Sequence, residues 1–178
     1  ALLLFLVTTA SAVLAEYLAL LVAGKPVRPF LMDGSALVTG WLIALCLPPF
    51  APWWIGALGS FIAIMLAKHA FGGLGQNIFN PAMIARTVLL ISFPLEMTRF
   101  VVPQPITSAE APGFYDSLAI TFGGTGADAV SSASLLGSIK TQLGQGVTLD
   151  AIGERSIDLW TMLAGVEPGS MGETSALL

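Results

Sequence analysis

A short run of hydroxyl side chains with one carboxylate ahead of it is the first stretch of this sequence that could do chemistry. It reads Asp128-Ala-Val-Ser-Ser-Ala-Ser134 and follows the glycine-rich segment 121–126. Its small neighbouring residues leave room around the hydroxyls at 131, 132 and 134, and the carboxylate can hold a cation or accept a proton. The run could therefore attach a group through a hydroxyl. Serine, glycine and alanine also gather in ordinary solvated loops, which is the alternative.

A second stretch with chemical potential presents two amides beside a run of glycines. It reads Phe71-Gly-Gly-Leu-Gly-Gln-Asn-Ile-Phe-Asn-Pro81. No Gly-Lys-Ser/Thr follows, and the third glycine of a dinucleotide fingerprint would fall on Ile78, so neither phosphate-binding motif is present. Amides at Asn77 and Asn80 can bond the rim of a flat heterocycle. Asn80 is also expected to cap the helix that Pro81 opens.

Four isolated side chains in apolar surroundings complete the set. Glu16 either lines a polar or ion path, or lies near a helix end and reaches the interface or a partner subunit. Arg86 is either a snorkelling cation or the partner of an anion inside the protein. His69 has no second ligand at metal spacing, so we expect an interfacial side chain and no metal site. Cys46 is expected to be a small buried hydrophobe, since a lone thiol forms no internal disulfide and cannot hold an iron–sulfur cluster.

The composition indicates a membrane protein. Hydrophobic residues make up 55% of the 178 residues and charged residues only 10%, where soluble domains have about a quarter charged. Residues 1–99 hold five of the seven Lys/Arg but three of the eleven Asp/Glu. No basic cluster suited to nucleic acid occurs. We predict an all-α polytopic membrane protein: a transmembrane helix bundle with short or broken helices and a long extramembrane loop.

Apolar runs and prolines divide the chain into three parts. Residues 1–99 are predicted to be transmembrane helices, 100–172 an extracytoplasmic loop, and 173–178 the start of a further transmembrane helix. Because the chain starts and stops within apolar runs, we expect a fragment of a longer protein, and residues 1–23 are not interpreted as a signal peptide. The prolines of 47–54 interrupt the apolar stretch 36–68 and leave segments of about 14 residues, roughly 21 Å each. The interrupted stretch therefore forms either a hairpin of short or half helices, or two tilted helices that each cross a thinned region of the membrane.

The sidedness depends on that interrupted stretch. If 36–67 returns to the side it left, then Lys25, Arg28, Lys68 and the Arg86 end of the next helix share one face. The helix 81–99 then delivers the acidic loop to the other face. The positive-inside rule then puts the loop outside the cytoplasm. If 36–67 crosses once as a bent helix, the assignment inverts and the basic residues split between the faces. We favour the first arrangement.

Three stretches in this order carry a resemblance to a known family. They are Ser35-Ala-Leu-Val-Thr-Gly-Trp-Leu-Ile-Ala-Leu with Leu47-Pro-Pro-Phe-Ala-Pro, the glycine–asparagine segment 71–83, and the serine run 128–134. Together they resemble the family that contains the D subunit of the Rnf electron-transport complex and the B subunit of the sodium-translocating NADH:quinone reductase. The sequences of 71–83 and 47–54 favour the Rnf branch, and the resemblance covers essentially the whole chain.

The resemblance implies a covalent FMN on the loop. In the family, a flavin transferase installs FMN from FAD as a phosphoester on a hydroxyl. The family pattern maps the acceptor onto Ser134, the leading acid onto Asp128 and an intervening hydroxyl onto Ser131. Serine stands where threonine is more usual, and Ser132 replaces the usual glycine. Serine has the same nucleophilic oxygen, so attachment is expected.

The resemblance also implies a second, non-covalent flavin, riboflavin or FMN, near Asn77, Asn80, Thr39 and Gly40. Such a subunit relays electrons in an ion-translocating ferredoxin:NAD oxidoreductase of the bacterial inner membrane. Its partners are the other subunits, the flavin transferase and membrane lipid, and the ferredoxin and NAD sites lie on partner subunits.

Three alternatives remain at this point. The chain could be a B-type subunit of the quinone reductase. It could be a solute or ion transporter, because broken helices with intramembrane polar residues are typical of that class as well. A transporter would hold no flavin. It could also be a structural anchor for partner subunits with an inert loop, in which case replacing Ser134 would change nothing measurable.

Overall fold

The computed structural model describes residues 1–100, 113–123, 144 and 169–172, and every regular element in them is a helix. The predicted all-α membrane protein is confirmed. The α-helices are α1 (Leu2–Val22), α2 (Val27–Leu31), α3 (Ser35–Cys46), α4 (Trp53–Phe61), α5 (Pro81–Ser92), α6 (Pro94–Thr98) and α7 (Phe114–Leu118). Helix α4 continues as a π-helical segment, Ile62–Lys68, and a 3-10 turn, His69–Phe71; a second π-helical segment, Ala119–Gly123, follows α7.

Three stretches are long and apolar enough to cross a membrane. They are Leu2–Val22 with 21 residues, Val27–Cys46 with 20 and Trp53–Phe71 with 19. The predicted short segment after the prolines is wrong, because α4 continues through its π-helical extension to Phe71 without interruption. The predicted helix from Pro81 to about residue 99 is wrong in its end. It stops at Ser92, since Pro94 disfavours helical geometry in the residue before it and opens α6 instead.

Residues 47–52, the proline turn, reverse the chain between the second and third spans. Proline has no backbone N–H and cannot continue a helix, so α3 ends at Cys46 and α4 begins directly after Pro52. At the far ends of the two spans, Lys25 Nζ donates to Gly72 O at 2.9 Å. The chain therefore returns to the end it left, as the favoured arrangement requires. We call that end, with Lys25, Arg28 and Lys68, the basic end.

Glycines allow the helices to approach closely around α1. A Cβ at position 40 would lie 2.9 Å from the Ala12 Cβ, and a Cβ at position 56 would collide with the Thr8 side chain. Small residues at such crossings let helix backbones pack tightly in a membrane, where dispersion contacts replace the hydrophobic effect. A buried hydrogen bond from Ser60 Oγ to Thr8 O, 2.9 Å long, adds a polar tie between α4 and α1.

The described parts of the predicted loop contact the proline turn. Gly172 N donates to Leu45 O at 2.9 Å and Met171 N donates to Leu47 O at 3.1 Å. The Leu45 carbonyl is free to accept because its helical partner four residues on is Pro49, which has no N–H. The Phe122 ring lies 6.0 Å from the Trp53 ring. Both contacts lie at the end of the bundle opposite the basic end.

Candidate functional site

A cavity of about 420 Å³ opens at the basic end between the start of α3, the end of the third span and the segment before α5. Its volume falls in the range of about 300–1,000 Å³ that small-molecule and cofactor pockets occupy. We call it the larger cavity. Its lining residues are Asp33, Gly34, Ser35, Val38, Thr39, Lys68, Leu74, Asn77, Asn80 and Pro81.

Three of the four residues that the resemblance assigned to a second flavin meet at this cavity. Thr39 comes from α3, whereas Asn77 and Asn80 come from the segment before α5, about 40 residues away. The Thr39 hydroxyl donates to Ser35 O at 2.8 Å, so its oxygen retains an acceptor position. Gly40, the fourth, is not among the lining residues and packs against Thr9 and Ala12 of α1.

The two asparagines of the glycine-rich segment are in different states. Asn80 Oδ1 accepts a hydrogen bond from Ala82 N at 3.0 Å, which confirms the predicted cap of α5, with Pro81 in the first turn. Its amide nitrogen remains a donor. Asn77 Oδ1 is buried and has no hydrogen-bond partner in the described residues. Buried polar atoms are nearly always paired, so this oxygen at a cavity wall is positioned to accept a hydrogen bond from a ligand or a water.

Backbone geometry explains why glycines precede Asn77. Gly72, Gly73 and Gly75 have φ angles of 111°, 106° and 85°. Side chains strongly disfavour that region, whereas glycine enters it readily. The three glycines let the chain turn back from the third span, and the turn brings Asn77 to the wall of the larger cavity.

A buried ionic cluster lies beside the larger cavity. Lys68 Nζ lies 2.9 Å from Glu16 Oε2 and donates to Ser35 Oγ at 2.7 Å. The Ser35 hydroxyl in turn lies 2.6 Å from Asp33 Oδ1. Glu16 is 1% exposed and Lys68 3%. Glu16 is therefore paired inside this chain, not extended to the interface or to a partner subunit.

Lys68 lies at the basic end, but its charge is buried against Glu16. His69, half-buried, places Nε2 3.0 Å from Glu16 Oε1, although its N–H is not aligned for a hydrogen bond. The sequence contains a signal for this ion pair: Glu16 and Lys68 are oppositely charged residues in two separate apolar segments. Residue spacing alone could not reveal that the two segments pack together.

A smaller cavity, about 50 Å³ in volume, is lined by both members of the ion pair. It exceeds the volume of about 10–15 Å³ that one water requires. Glu16, Lys25, Asp33, His69 and Lys68 contribute its polar wall. Lys68 is thus a wall residue of both cavities.

Arg86 and Cys46 meet away from the cavities. Arg86 Nη1 lies 3.9 Å from Cys46 Sγ, and both residues are half-buried. In the part of the chain that the structure describes, the carboxylate in ion pairs is Glu16, and Arg86 is not its partner. The contact favours neither of the two interpretations of Arg86.

The predicted covalent site lies outside the described residues. Asp128, Ser131 and Ser134 all fall between 124 and 143, and most of the predicted loop 100–172 and the helix start at 173–178 are outside as well. The acceptor role of Ser134 therefore stays a prediction.

The helices and the larger cavity define a class: a polytopic membrane protein with a cofactor-sized cavity where the glycine-rich segment meets the start of α3 and the end of the third span. The chain belongs to the NQR2, RnfD, RnfE family, whose model matches residues 1–178. This confirms the family resemblance.

Similar proteins narrow the likeness within the family. The chain is 52% identical over 179 residues to the D subunit of the ion-translocating oxidoreductase complex of Rhodobacter capsulatus, a match that covers 100% of this chain and 49% of that protein. It is 50% identical over 176 residues to the same-named protein of Halorhodospira halophila, covering 98% and 49%. The corresponding protein of Stutzerimonas stutzeri is 49% identical over 176 residues, again covering 98% and 49%. The chain spans about half the length of these relatives.

Proposed function

We propose that this chain is part of a D-type subunit of an ion-translocating oxidoreductase complex, where it relays electrons through two flavins. The observation that carries the proposal is the convergence of Thr39, Asn77 and Asn80 on the larger cavity, where Asn77 Oδ1 is buried and has no partner among the residues that the structure describes. The names of the similar proteins support the complex. Ferredoxin and NAD, as electron donor and acceptor, follow from the Rnf resemblance.

The lining residues fit a non-covalent flavin, riboflavin or FMN. The flavin ring is flat, and hydrogen-bond donors and acceptors alternate along one rim. The Asn77 oxygen can accept from the ring, and the Asn80 amide nitrogen, left free by the cap, can donate to it. Leu74, Val38 and Pro81 provide apolar walls for the ring faces. A bound flavin would supply the redox chemistry, while these residues hold it, orient it and exclude water.

The second flavin in this proposal is FMN, joined through its phosphate to the Ser134 hydroxyl, with Asp128 and Ser131 beside it. Support comes from the sequence pattern 128–134 within a chain of this family. A flavin transferase is then a maturation partner. A covalent bond would keep the FMN from diffusing away from a loop outside the membrane.

We assign the complex to the bacterial inner membrane, with the loop on the periplasmic side. The charge distribution supports this orientation: the basic end collects Lys25, Arg28 and Lys68, and cytoplasmic ends carry such an excess. The described loop contacts at the proline turn lie at the opposite end. Lipid and the other subunits would cover the exposed apolar side chains of the helices.

The larger cavity is tested by replacing Asn77 in the full-length protein within its complex. Asn77→Ala removes the unpaired oxygen and leaves the cap at Asn80 intact. We expect the amount of acid-extractable flavin per complex to fall at least fivefold, with covalent flavin unchanged. Gln76→Ala is the matched control, because Gln76 is an exposed neighbouring amide outside the cavity wall.

Full extractable flavin in Asn77→Ala would contradict the assignment of the cavity. A wild-type protein without any flavin would instead support the transporter alternative.

A further inference from the structure

We propose that Lys68 is shared between two sites: it neutralises Glu16, and it raises the affinity of the larger cavity for the negatively charged, reduced form of an electron carrier. Glu16 thereby acts as a positioning residue that adjusts how much of the Lys68 charge the larger cavity receives. This inference rests on the proposed function, because it concerns the carrier that the larger cavity would hold.

The contacts of Lys68 show why it can serve both sites. Its ammonium reaches Glu16 at 2.9 Å, a wall residue of the smaller cavity. It also donates to Ser35 Oγ at 2.7 Å, a wall residue of the larger cavity. Lys68 itself contributes to both walls. Three donor hydrogens let one ammonium contact both oxygens and retain a third hydrogen for another acceptor.

Two carboxylates lie near Lys68. Glu16 faces it from α1. Asp33, a wall residue of both cavities, is joined to it through the Ser35 hydroxyl and opposes its charge in the larger cavity. His69 follows it in the chain and lies against the far oxygen of Glu16. Lys25, on the smaller cavity, adds a second cation nearby. Because burial reduces screening, a new negative charge in the larger cavity interacts strongly with Lys68.

Acceptance of one electron in the larger cavity adds one negative charge beside Lys68. The electron comes from a reduced redox cofactor of the complex and leaves to the next cofactor. No bond forms or breaks at Lys68 or Glu16. The negative charge competes with Glu16 for the same ammonium, so weakening the hold of Glu16 strengthens the preference of the larger cavity for the reduced carrier.

Two variants change the shared charge in opposite directions. Glu16→Gln retains the side-chain shape and leaves the ammonium to the larger cavity, so we expect about a tenfold stronger preference for the reduced carrier. The double variant Glu16→Gln with Lys68→Met replaces the ion pair by neutral groups of similar size, and we expect about a tenfold weaker preference. For a one-electron couple, tenfold corresponds to a midpoint-potential change of about 59 mV.

The measurement is a spectroelectrochemical redox titration of the intact complex. The component that disappears in Asn77→Ala identifies the carrier in the larger cavity. Arg28→Gln is the matched control, because Arg28 is an exposed cation at the same end and lines neither cavity. We expect this variant to change the preference for the reduced carrier less than twofold, which corresponds to a midpoint-potential shift of less than about 18 mV.

The outcomes separate this inference from the proposed function. An upward shift in Glu16→Gln together with a downward shift in the double variant supports the sharing of Lys68. Midpoint potentials within about 18 mV of wild type in both variants, with the carrier still bound, would overturn it. If the wild-type complex holds no carrier that Asn77→Ala removes, the proposed function itself fails. Lys68→Arg, which keeps the cation, should retain a midpoint close to wild type.

Discussion

At the scale of residues, Asn77 and Asn80 have different roles, although only three positions separate them in the chain: Asn80 caps a helix and Asn77 does not. The Asn80 oxygen is committed to the cap of α5, so a change there would alter helix stability as well as the cavity. The Asn77 oxygen has no structural partner in the described residues. Asn77 is therefore the residue at which ligand binding can be tested with the least effect on folding.

Ser134 carries a prediction of its own. Ser134→Ala removes the hydroxyl that the family pattern assigns as the acceptor, and no phosphoester can form without an oxygen. We expect the flavin fluorescence of the denatured chain in a gel to be lost completely. Ser132→Ala is the control, because Ser132 stands where the family usually has glycine and is not the assigned acceptor, so the band should be retained.

The flavin transferase must be co-expressed for both chains. No fluorescent band in the wild type would refute the covalent attachment. A band that survives in Ser134→Ala but is lost in Ser132→Ala would move the acceptor to the neighbouring hydroxyl.

At the scale of elements, the crossing of α1 and α4 depends on the absence of a side chain at position 56. A Cβ there would collide with Thr8, and the Thr8 hydroxyl is itself bonded to Leu4 O at 2.8 Å. Overpacking of a close contact costs about 1–3 kcal/mol. We expect Gly56→Val to lower the free energy of unfolding of the detergent-solubilised protein by that amount, measured by thermal unfolding.

Gly144→Ala is the matched control for this crossing, since a Cβ at position 144 meets nothing within 4 Å. Equal stability of Gly56→Val and Gly144→Ala would contradict the close packing of α1 on α4.

Several elements could be predicted from local sequence alone. The proline turn follows from residues without an N–H, and the cap of α5 follows from the Asn-Pro pair, since both depend on neighbours in the chain. The π-helical extension of α4 could not be predicted, because its sequence, Ile62–Lys68, is an ordinary apolar helix pattern.

The candidate site could be predicted only in part. The amide pair and Thr39 follow from motif resemblance, and packing brings them to one cavity. The Glu16–Lys68 pair joins residues 52 positions apart, so it depends on how α1 lies against the third span. Gly40 shows the opposite case: the family resemblance implied a ligand contact, whereas its neighbours Thr9 and Ala12 show that it allows a close helix crossing.

At the scale of the whole molecule, the two ends of the bundle differ in charge and in what they contact. This difference predicts the orientation of the chain. In a full-length protein without its own cysteines, Gly144→Cys should react with a membrane-impermeant maleimide added to spheroplasts. Arg28→Cys should react only after permeabilisation, because it belongs to the basic end.

Both replaced residues are exposed in the structure, so unequal labelling reports the side of the membrane. Labelling of Arg28→Cys in sealed spheroplasts, with protection of Gly144→Cys, would invert the proposed orientation.

The opposite placement of the loop contacts and the larger cavity has an electrical consequence. The larger cavity lies at the start of α3 and the loop contacts lie at its end. The 12 residues of α3 form a helix ~18 Å long. If the loop and the larger cavity each hold a flavin, an electron that passes between them moves through part of the membrane field. A unit charge that crosses the whole field at 100 mV changes in free energy by about 2.3 kcal/mol. The equilibrium constant for electron transfer between the two flavins would then depend on the membrane voltage.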